Sequence, residues 1–444
     1  MGKKGRAMRR ASAVGALVTS LVVALGLMAP AAHADYAPRS QDVVGVGSDT
    51  VQYIMDFVAD GFIDGSLGYN AANNVNKIVN FDATPDANAR LAYGNAGVGT
   101  GTCPPGTGGT AGTGNSNTTH SDKPCTLNPT IVLQEGLSPV LRPNGTGAGR
   151  NALRQDITNG THYIDYTRAS SAWGANSGGT GDLISVQVGN DPFAMMVSDT
   201  THAPATGLSA ATLKTIYEAS TGTPCKTWAD VGGTGSNTII PILPQVGSGT
   251  RSAFLSAIGT TEGALGNCAT VAEENDPLAI IDSSSPDDAI APMSGGRLNL
   301  FQGKDGSNAS TGAGGYFGDP SCPFGVTTPA ACVGASKVLT PDVHLQTTGS
   351  AWHTTRPLYV YFRESDVEQT APFGTNHPFQ PGTTLNWVRA LFYNPCSAGQ
   401  TGCVTISGTQ YGPGGQPFVA TLAGQSLISL AGIAPTYVVT VHGP

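Results

Sequence analysis

Three times along this chain an apolar run gives way to a turn of glycines and hydroxyls, and then to an apolar pattern of helical period. The turns are Gly47-Ser48-Asp49-Thr50, Gly145-Thr146-Gly147-Ala148-Gly149 and Gly247-Ser248-Gly249-Thr250-Arg251. After the first, Val51, Ile54, Met55, Val58 and Phe62 fall at i, i+3, i+4, i+7 and i+11, the spacing of one helix face. Ala152, Leu153 and Ile157 follow the second turn, and Phe254, Leu255 and Ile258 the third. Residues 41–46 and 238–243 read as strands ahead of the first and third turns, and Ser48, Asp49 or Thr50 is the expected cap of the first helix.

The same grammar continues elsewhere. Residues 77–81, 130–133, 163–167, 183–188, 193–197 and 357–362 read as strands. Ser209 precedes a helix carrying Leu213, Ile216 and Tyr217, and residues 385–392 suggest another. Strands alternating with helices imply an α/β fold. Residues 94–124, dominated by Gly, Thr, Ser and Asn, read as a long surface loop.

The recurring turn has a chemical meaning. A helix start leaves backbone N–H groups unpaired and slightly positive. Glycine admits close approach of a ligand to the backbone, and hydroxyls add donors without burying a charge. Any one such turn is explained by capping alone. Several together at strand ends form a candidate oxyanion site. A fourth polar turn, Arg168-Ala169-Ser170-Ser171, would add a guanidinium and two more hydroxyls. Arg168 is the preferred positive partner and Arg251 the second, since hydrogen bonds from arginine to an anion are charge-assisted.

Residues 1–34 read as a leader. Lys3, Lys4, Arg6, Arg9 and Arg10 precede an apolar run, and Ala32-His33-Ala34 forms a small-x-small cleavage signal. Cleavage after Ala34 and secretion are expected. The leader holds five of the 22 basic residues and none of the 30 acidic ones, so the remainder carries a net charge of −13. Such a chain repels nucleic acid and anionic lipid, and no later run is long and apolar enough to span a bilayer. The eight cysteines are expected to form four disulfides in an oxidising compartment, with neighbour pairing favoured: 103–125, 225–268, 322–332 and 396–403. No zinc-type spacing occurs.

The blocks "LSAATLKTIYEASTGTPCKTWADVGG", "PILPQVGSGTRSAF" and "RPLYVYF" occur in an order that resembles periplasmic-binding-protein-like proteins of type II, above all the phosphate-binding component of phosphate ABC transporters. The resemblance covers most of residues 42–400. It implies two α/β lobes around a cleft with a hinge: lobe one from residues 36–195 and 360–444, lobe two from 196–359. It implies a monomer that captures a small oxyanion, phosphate foremost, without cofactor, metal or catalysis, and an ABC-transporter permease as partner. Gly247, Ser248, Gly249 and Thr250 match the family's anion-binding turn. Asp49 and Thr50 match its first helix mouth, Thr146 a serine of its second Gly-rich turn, and Ser170 and Ser171 an Ala-Ser-Asp segment. Three positions depart from the pattern. Pro244 stands where the family has its anion-binding arginine, Ser171 where it has an aspartate, and Asp49 where it has a hydroxyl.

Two other functions compete. A secreted surface or matrix protein could keep the fold without transport, and no cysteine for lipid attachment follows the leader. A secreted hydrolase is less well supported. The G-x-S-x-G pattern is absent at Ser248, and His162, His202, His344 and His353 lie in no local catalytic motif. Glu273, Glu274 and Asp276 read as a solvated acidic loop.

Overall fold

The computed structural model describes residues 38–62, 66–72, 77–83, 130–173, 183–220, 224–281, 283–301, 343–368, 386–396 and 398–442. The leader and its cleavage point, the loop 94–124, and Cys103, Cys125, Cys322 and Cys332 lie outside the described residues. Among the described residues, no helix is long and apolar enough to cross a membrane.

The strands are β1 (Val43–Gly47), β2 (Ile78–Asn80), β3 (Thr130–Ile131), β4 (Val140–Leu141), β5 (Tyr166–Ala169), β6 (Leu183–Ser198), β7 (Ile240–Pro244), β8 (Thr270–Ala272), β9 (Ala289–Ser294), β10 (Val343–Gln346), β11 (His353–Arg363), β12 (Val404–Ile406), β13 (Thr409–Tyr411) and β14 (Ala434–His442). Ten of them form one sheet, in the order β2-β1-β5-β11-β6-β9-β7-β8, with β10 and β14 also on β6.

β6 organises this sheet. The sequence suggested two strands, 183–188 and 193–197, broken at Gly189-Asn190-Asp191-Pro192. The structure has one continuous strand. On one flank β11 pairs with Leu183 to Ala194, and β10 takes over from Met195 to Ser198. On the other flank β14 stops at Asn190 and β9 starts at Phe193. Pro192, which has no N–H, falls in that gap, so no ladder bond is lost there. The strand thus changes neighbours at Asp191-Pro192 on one flank and between Ala194 and Met195 on the other.

Each end of β6 has its own core. At the first end Val186 and Val188 pack with Val360 and Phe362, under Ile54, Met55, Phe57 and Val58 of helix Gln52–Asp60 and Leu427 and Ile428 of helix Leu422–Leu430. The opposite sheet face there carries Val44, Val46, Leu153, Ala169 and Tyr361. At the second end Phe193, Met195 and Val197 pack on Leu213, Ile216, Tyr217, Trp228 and Phe254, while Met196 faces Ile242, Ile280 and Met293. The alternation of β6 between faces is the two-residue period of a strand covered on both sides. Burying each large apolar side chain stabilises the fold by about 1.5–3 kcal/mol. The architecture is mixed α/β, as the sequence implies.

Cys225 is joined to Cys268 and Cys396 to Cys403, two of the expected neighbour pairs. Ser209 caps its helix by accepting the Thr212 N–H. The expected cap at the first turn is corrected: the N-cap of helix Gln52–Asp60 is Val51, and no side chain caps it. β4, β8, β9, β10, β12, β13 and β14 are not among the strands the sequence suggests. β9 contains Pro292 and begins right after an acidic turn, which masks its apolar character.

Candidate functional site

The polar turns converge. β1 ends at Gly47, whose φ of +113° suits only glycine, and leads into Ser48, Asp49 and Thr50, all buried. β7 ends at Pro244 and leads to Ser248, Gly249 and Thr250, also buried. Thr50 Oγ1 and Thr250 Oγ1 lie 3.3 Å apart. The second turn joins them, with the Gly147 N–H donating to the Gly247 carbonyl at 3.0 Å. Thr146 Oγ1 stands 3.3 Å from Ser170 Oγ and accepts the Ser170 N–H at 3.0 Å. Gly249 makes this approach feasible, because a Cβ there would stand 2.3 Å from Thr146 Oγ1 and 2.4 Å from Ser170 Oγ. A Cβ on Gly145 would likewise stand 2.9 Å from the Gly247 carbonyl oxygen. Ser171, next to Ser170, is only partly buried.

The hydroxyls differ in how they are used. Ser248 Oγ accepts the Arg251 N–H at 3.1 Å, capping helix Gly249–Ala257, and donates to the Glu274 carboxylate. Ser48 Oγ is buried with no hydrogen-bond partner among the described residues, although buried hydroxyls are almost always paired.

Neither arginine proposed from the sequence faces this junction. Arg168 is fully buried behind the first turn. It donates to the carbonyls of Ser48 and Gly47 at 3.1 Å, to that of Phe81 at 2.8 Å, and to Asn80 Oδ1. These bonds tie β1 and β2 to β5, and burial pulls its basicity below the ordinary arginine value. Arg251 turns away, gripping the Glu262 carboxylate at 2.8 and 2.7 Å and the Pro244 carbonyl at 2.8 Å.

The cation at the junction is Arg356, on β11. Its cross-strand partner is Asp191, whose Oδ2 accepts Arg356 Nε at 2.9 Å. Asp191 Oδ1 accepts from Ser294 Oγ at 2.7 Å and the Gly296 N–H at 3.2 Å. So anchored, Arg356 lies over the Phe193 ring at 4.1 Å and donates to Thr250 Oγ1 at 2.9 Å and Thr50 Oγ1 at 3.3 Å. A second arginine, Arg297, stacks on Tyr53 at 4.0 Å and meets Asp49 Oδ1 at 3.2 Å. The "RPLYVYF" block contained Arg356. The signal that could have singled it out is a charge opening an apolar strand opposite an Asp-Pro in another.

The acidic segment is also corrected. Glu273, Glu274, Asn275 and Asp276 are buried, not solvated. Glu273 accepts from Asn144 Nδ2 at 3.0 Å and Gln245 Nε2 at 3.0 Å. Glu274 Oε1 accepts the Asp49 N–H at 3.2 Å. Asn275, at φ 56°, donates to Asp49 Oδ2 at 3.0 Å and Thr50 Oγ1 at 2.9 Å and accepts the Ser294 N–H at 3.1 Å. Burial first, and then the Asp49 charge, raise the Glu274 carboxyl above the ordinary range.

Among the described residues, no group of three or more His, Cys, Asp or Glu could hold a metal. His202 is bound to Asp288 at 2.7 Å and His344 to Asp199 at 2.8 Å.

A comparison with curated proteins finds no match. Among solved structures, a putative phosphate ABC transporter substrate-binding protein with bound phosphate from Clostridium perfringens is similar at TM-score 0.40 and 13% identity, over 73% of this chain and 87% of that one. An ABC-type phosphate transport receptor from Vibrio cholerae is similar at TM-score 0.36 and 15% identity, over 74% and 89%. A possible phosphate binding protein from Planctomyces limnophilus is similar at TM-score 0.33 and 16% identity, over 74% and 83%. Residues 115–320 match the PBP superfamily domain, the family whose blocks this sequence resembles.

Proposed function

We propose that this chain is a secreted solute-binding protein that takes a small oxyanion, phosphate foremost, where the turns meet. The observation that carries the reading is Arg356, which donates to one hydroxyl from each of two helix mouths, Thr50 and Thr250. A fixed positive charge between two helix N-termini favours an anion. The buried, unpartnered Ser48 hydroxyl adds a donor in the same turn. The hydroxyls of Thr50 and Thr250 would turn from Arg356 and each other toward ligand oxygens. The Asp49 and Thr250 N–H groups complete the set. The ligand-contacting residues proposed are therefore Ser48, Asp49, Thr50, Thr146, Ser170, Ser248, Gly249, Thr250 and Arg356.

The proposed lobes are residues 36–195 with 360–444, and 196–359, with the ligand between them. The sequence resemblance makes phosphate the first ligand to test and an ABC-transporter permease the partner to seek, the protein acting as a monomer. A second reading has one observation in its favour. The Gly147 N–H and Ser248 hydroxyl already have protein acceptors, as a surface protein that keeps the fold without carrying solute would require.

Calorimetry of the chain from residue 35 with phosphate and sulfate separates these readings. The wild type should bind phosphate. Arg356→Lys should bind it at least about tenfold more weakly, a loss of about 1.4 kcal/mol. Lysine keeps the charge beside Asp191 but cannot fork to two hydroxyls. Absence of binding to either anion favours the second reading, and unchanged affinity in Arg356→Lys removes Arg356 from the site.

A further inference from the structure

The Glu274 carboxylate does in this structure what a bound oxyanion would do. It is fully buried, accepts the Asp49 N–H of the first turn at 3.2 Å, and accepts the Ser248 hydroxyl of the third. Burial and the Asp49 charge raise its carboxyl, and the Ser248 hydroxyl, the charge of Arg356 and a hydrogen bond from the Thr250 backbone oppose that rise. These are the donors assigned above to the ligand, and they come from the turns that follow β1 and β7. The residues on either side of Glu274 also bridge the turns. Glu273 binds Asn144 beside the second turn and Gln245 beside the third. Asn275 binds Asp49 and Thr50 in the first turn and the Ser294 N–H at the end of β9. Asparagine is one of the few residues that accept the left-handed conformation this placement needs.

From this geometry we propose that Glu274 is a tethered competitor for the anion. Its carboxylate clamps the first and third turns together, and an entering oxyanion must displace it. The inference rests on the oxyanion reading for its ligand and on the contacts above for the clamp. Charge supports the competition. Around the junction Asp49, Asp191 and Glu274 face Arg297 and Arg356, so an ionised Glu274 leaves an excess negative charge. An anion added beside it adds to that excess, whereas one of equal charge that replaces it does not. Glu274 therefore sets the anion concentration at which the site fills, and favours ligands with more oxygens than a carboxylate to engage the Ser48, Thr50 and Thr250 hydroxyls.

The test uses Glu274→Ala and the more conservative Glu274→Gln, which removes the charge but keeps the shape. Amide hydrogen exchange at Asp49 and small-angle scattering read the clamp without any ligand, and calorimetry with inorganic phosphate reads the competition. Faster Asp49 exchange and a larger radius of gyration are expected in Glu274→Ala. Phosphate affinity should rise at least about tenfold in both variants. Unchanged Asp49 exchange in Glu274→Ala overturns the proposal whatever phosphate does. Exchange that rises while phosphate affinity falls also overturns it, because Glu274 would then be a ligand contact. If exchange rises but no variant binds phosphate, the clamp stands and the phosphate reading fails.

Discussion

Arg168 and Arg356 are both buried arginines near the same turns, yet they serve opposite ends. Every partner of Arg168 belongs to the framework around β1 and β2: the carbonyls of Gly47, Ser48 and Phe81, and Asn80. Three of those acceptors are buried backbone carbonyls, which cannot turn to another donor, so the guanidinium cannot leave them without cost. Arg356 spends only its Nε on a fixed partner, Asp191, and turns its two terminal nitrogens to hydroxyls on separate turns. A hydroxyl can release an arginine and keep a partner by rotating, whereas a backbone carbonyl cannot. On the function proposed here, a buried arginine marks a ligand site when its partners can be exchanged, and a scaffold when they cannot.

The largest effect that would sharpen the comparison is on Arg168. Arg168→Ala strips bonds from three carbonyls at once, while Asn80 keeps the Tyr166 hydroxyl, and each buried group left unpaired costs about 1–3 kcal/mol. A total loss above about 4 kcal/mol is expected, in the range reserved for disrupted buried networks. Denaturant titration should show it, with little soluble protein if the margin is smaller than the loss. Arg356→Lys, by contrast, should lower ligand affinity more than the unfolding midpoint. If Arg168→Ala melts like the wild type and loses ligand instead, the two arginines have been assigned the wrong way round.

A smaller effect concerns protons. Asp56 accepts from Asn80, which also accepts from Arg168, so it belongs to the scaffold side. Burial and the Asp82 charge push its carboxyl well above the ordinary range. Glu274 on the junction side is pushed up by burial and Asp49. A raised carboxyl means that the folded state binds its proton more tightly than the unfolded chain. The stabilisation is full below the ordinary carboxyl value near pH 4 and is lost as pH rises through the elevated one. Thermal melts from about pH 4 to 8 should therefore show the wild type losing stability on the way up. Asp56→Asn, which keeps an oxygen for Asn80, should flatten that slope. A slope that survives intact in Asp56→Asn would move its origin to other groups, with Glu274→Gln the next to melt.

The sequence showed the framework of this site but not its wiring. The turns at residues 47–50, 145–149 and 247–251 were legible because glycine and hydroxyl clusters at helix starts have a local cause, and the structure brings all three together. The charges were not legible, because each is fixed by a partner far along the chain. Arg356 is aimed by Asp191, 165 residues away, and Glu274 is buried by Asp49, 225 residues away. Read locally, a Glu-Glu-Asn-Asp run is a solvated loop, and only the meeting of the turns that follow β1 and β7 makes it an interior one. The same applies to Asp191-Pro192. A proline beside a charge reads as a break unless the gap between β14 and β9 is known.

The smallest effect should come from Arg251, the sequence's second choice. Its guanidinium is buried, but its acid partner Glu262 is more than half exposed, at 56%. A pair open to water on one side is worth about 0–1 kcal/mol. Arg251→Ala should therefore cost little stability beyond the bond to the Pro244 carbonyl, and phosphate affinity should change less than about twofold. Ser248 keeps its cap in this variant, because the Arg251 backbone N–H remains to be accepted. The pH dependence supplies a second readout. The hydrogen bond from Arg251 holds the Glu262 carboxyl below its ordinary value. The stability it contributes is therefore present above about pH 4.3 and fades as pH falls through the depressed value. The gap in midpoint between wild type and Arg251→Ala should close in acid, the opposite trend to that of Asp56. A large loss of phosphate binding in Arg251→Ala would mean that this arginine swings inward to the anion, and Arg356 would then share a role assigned here to it alone.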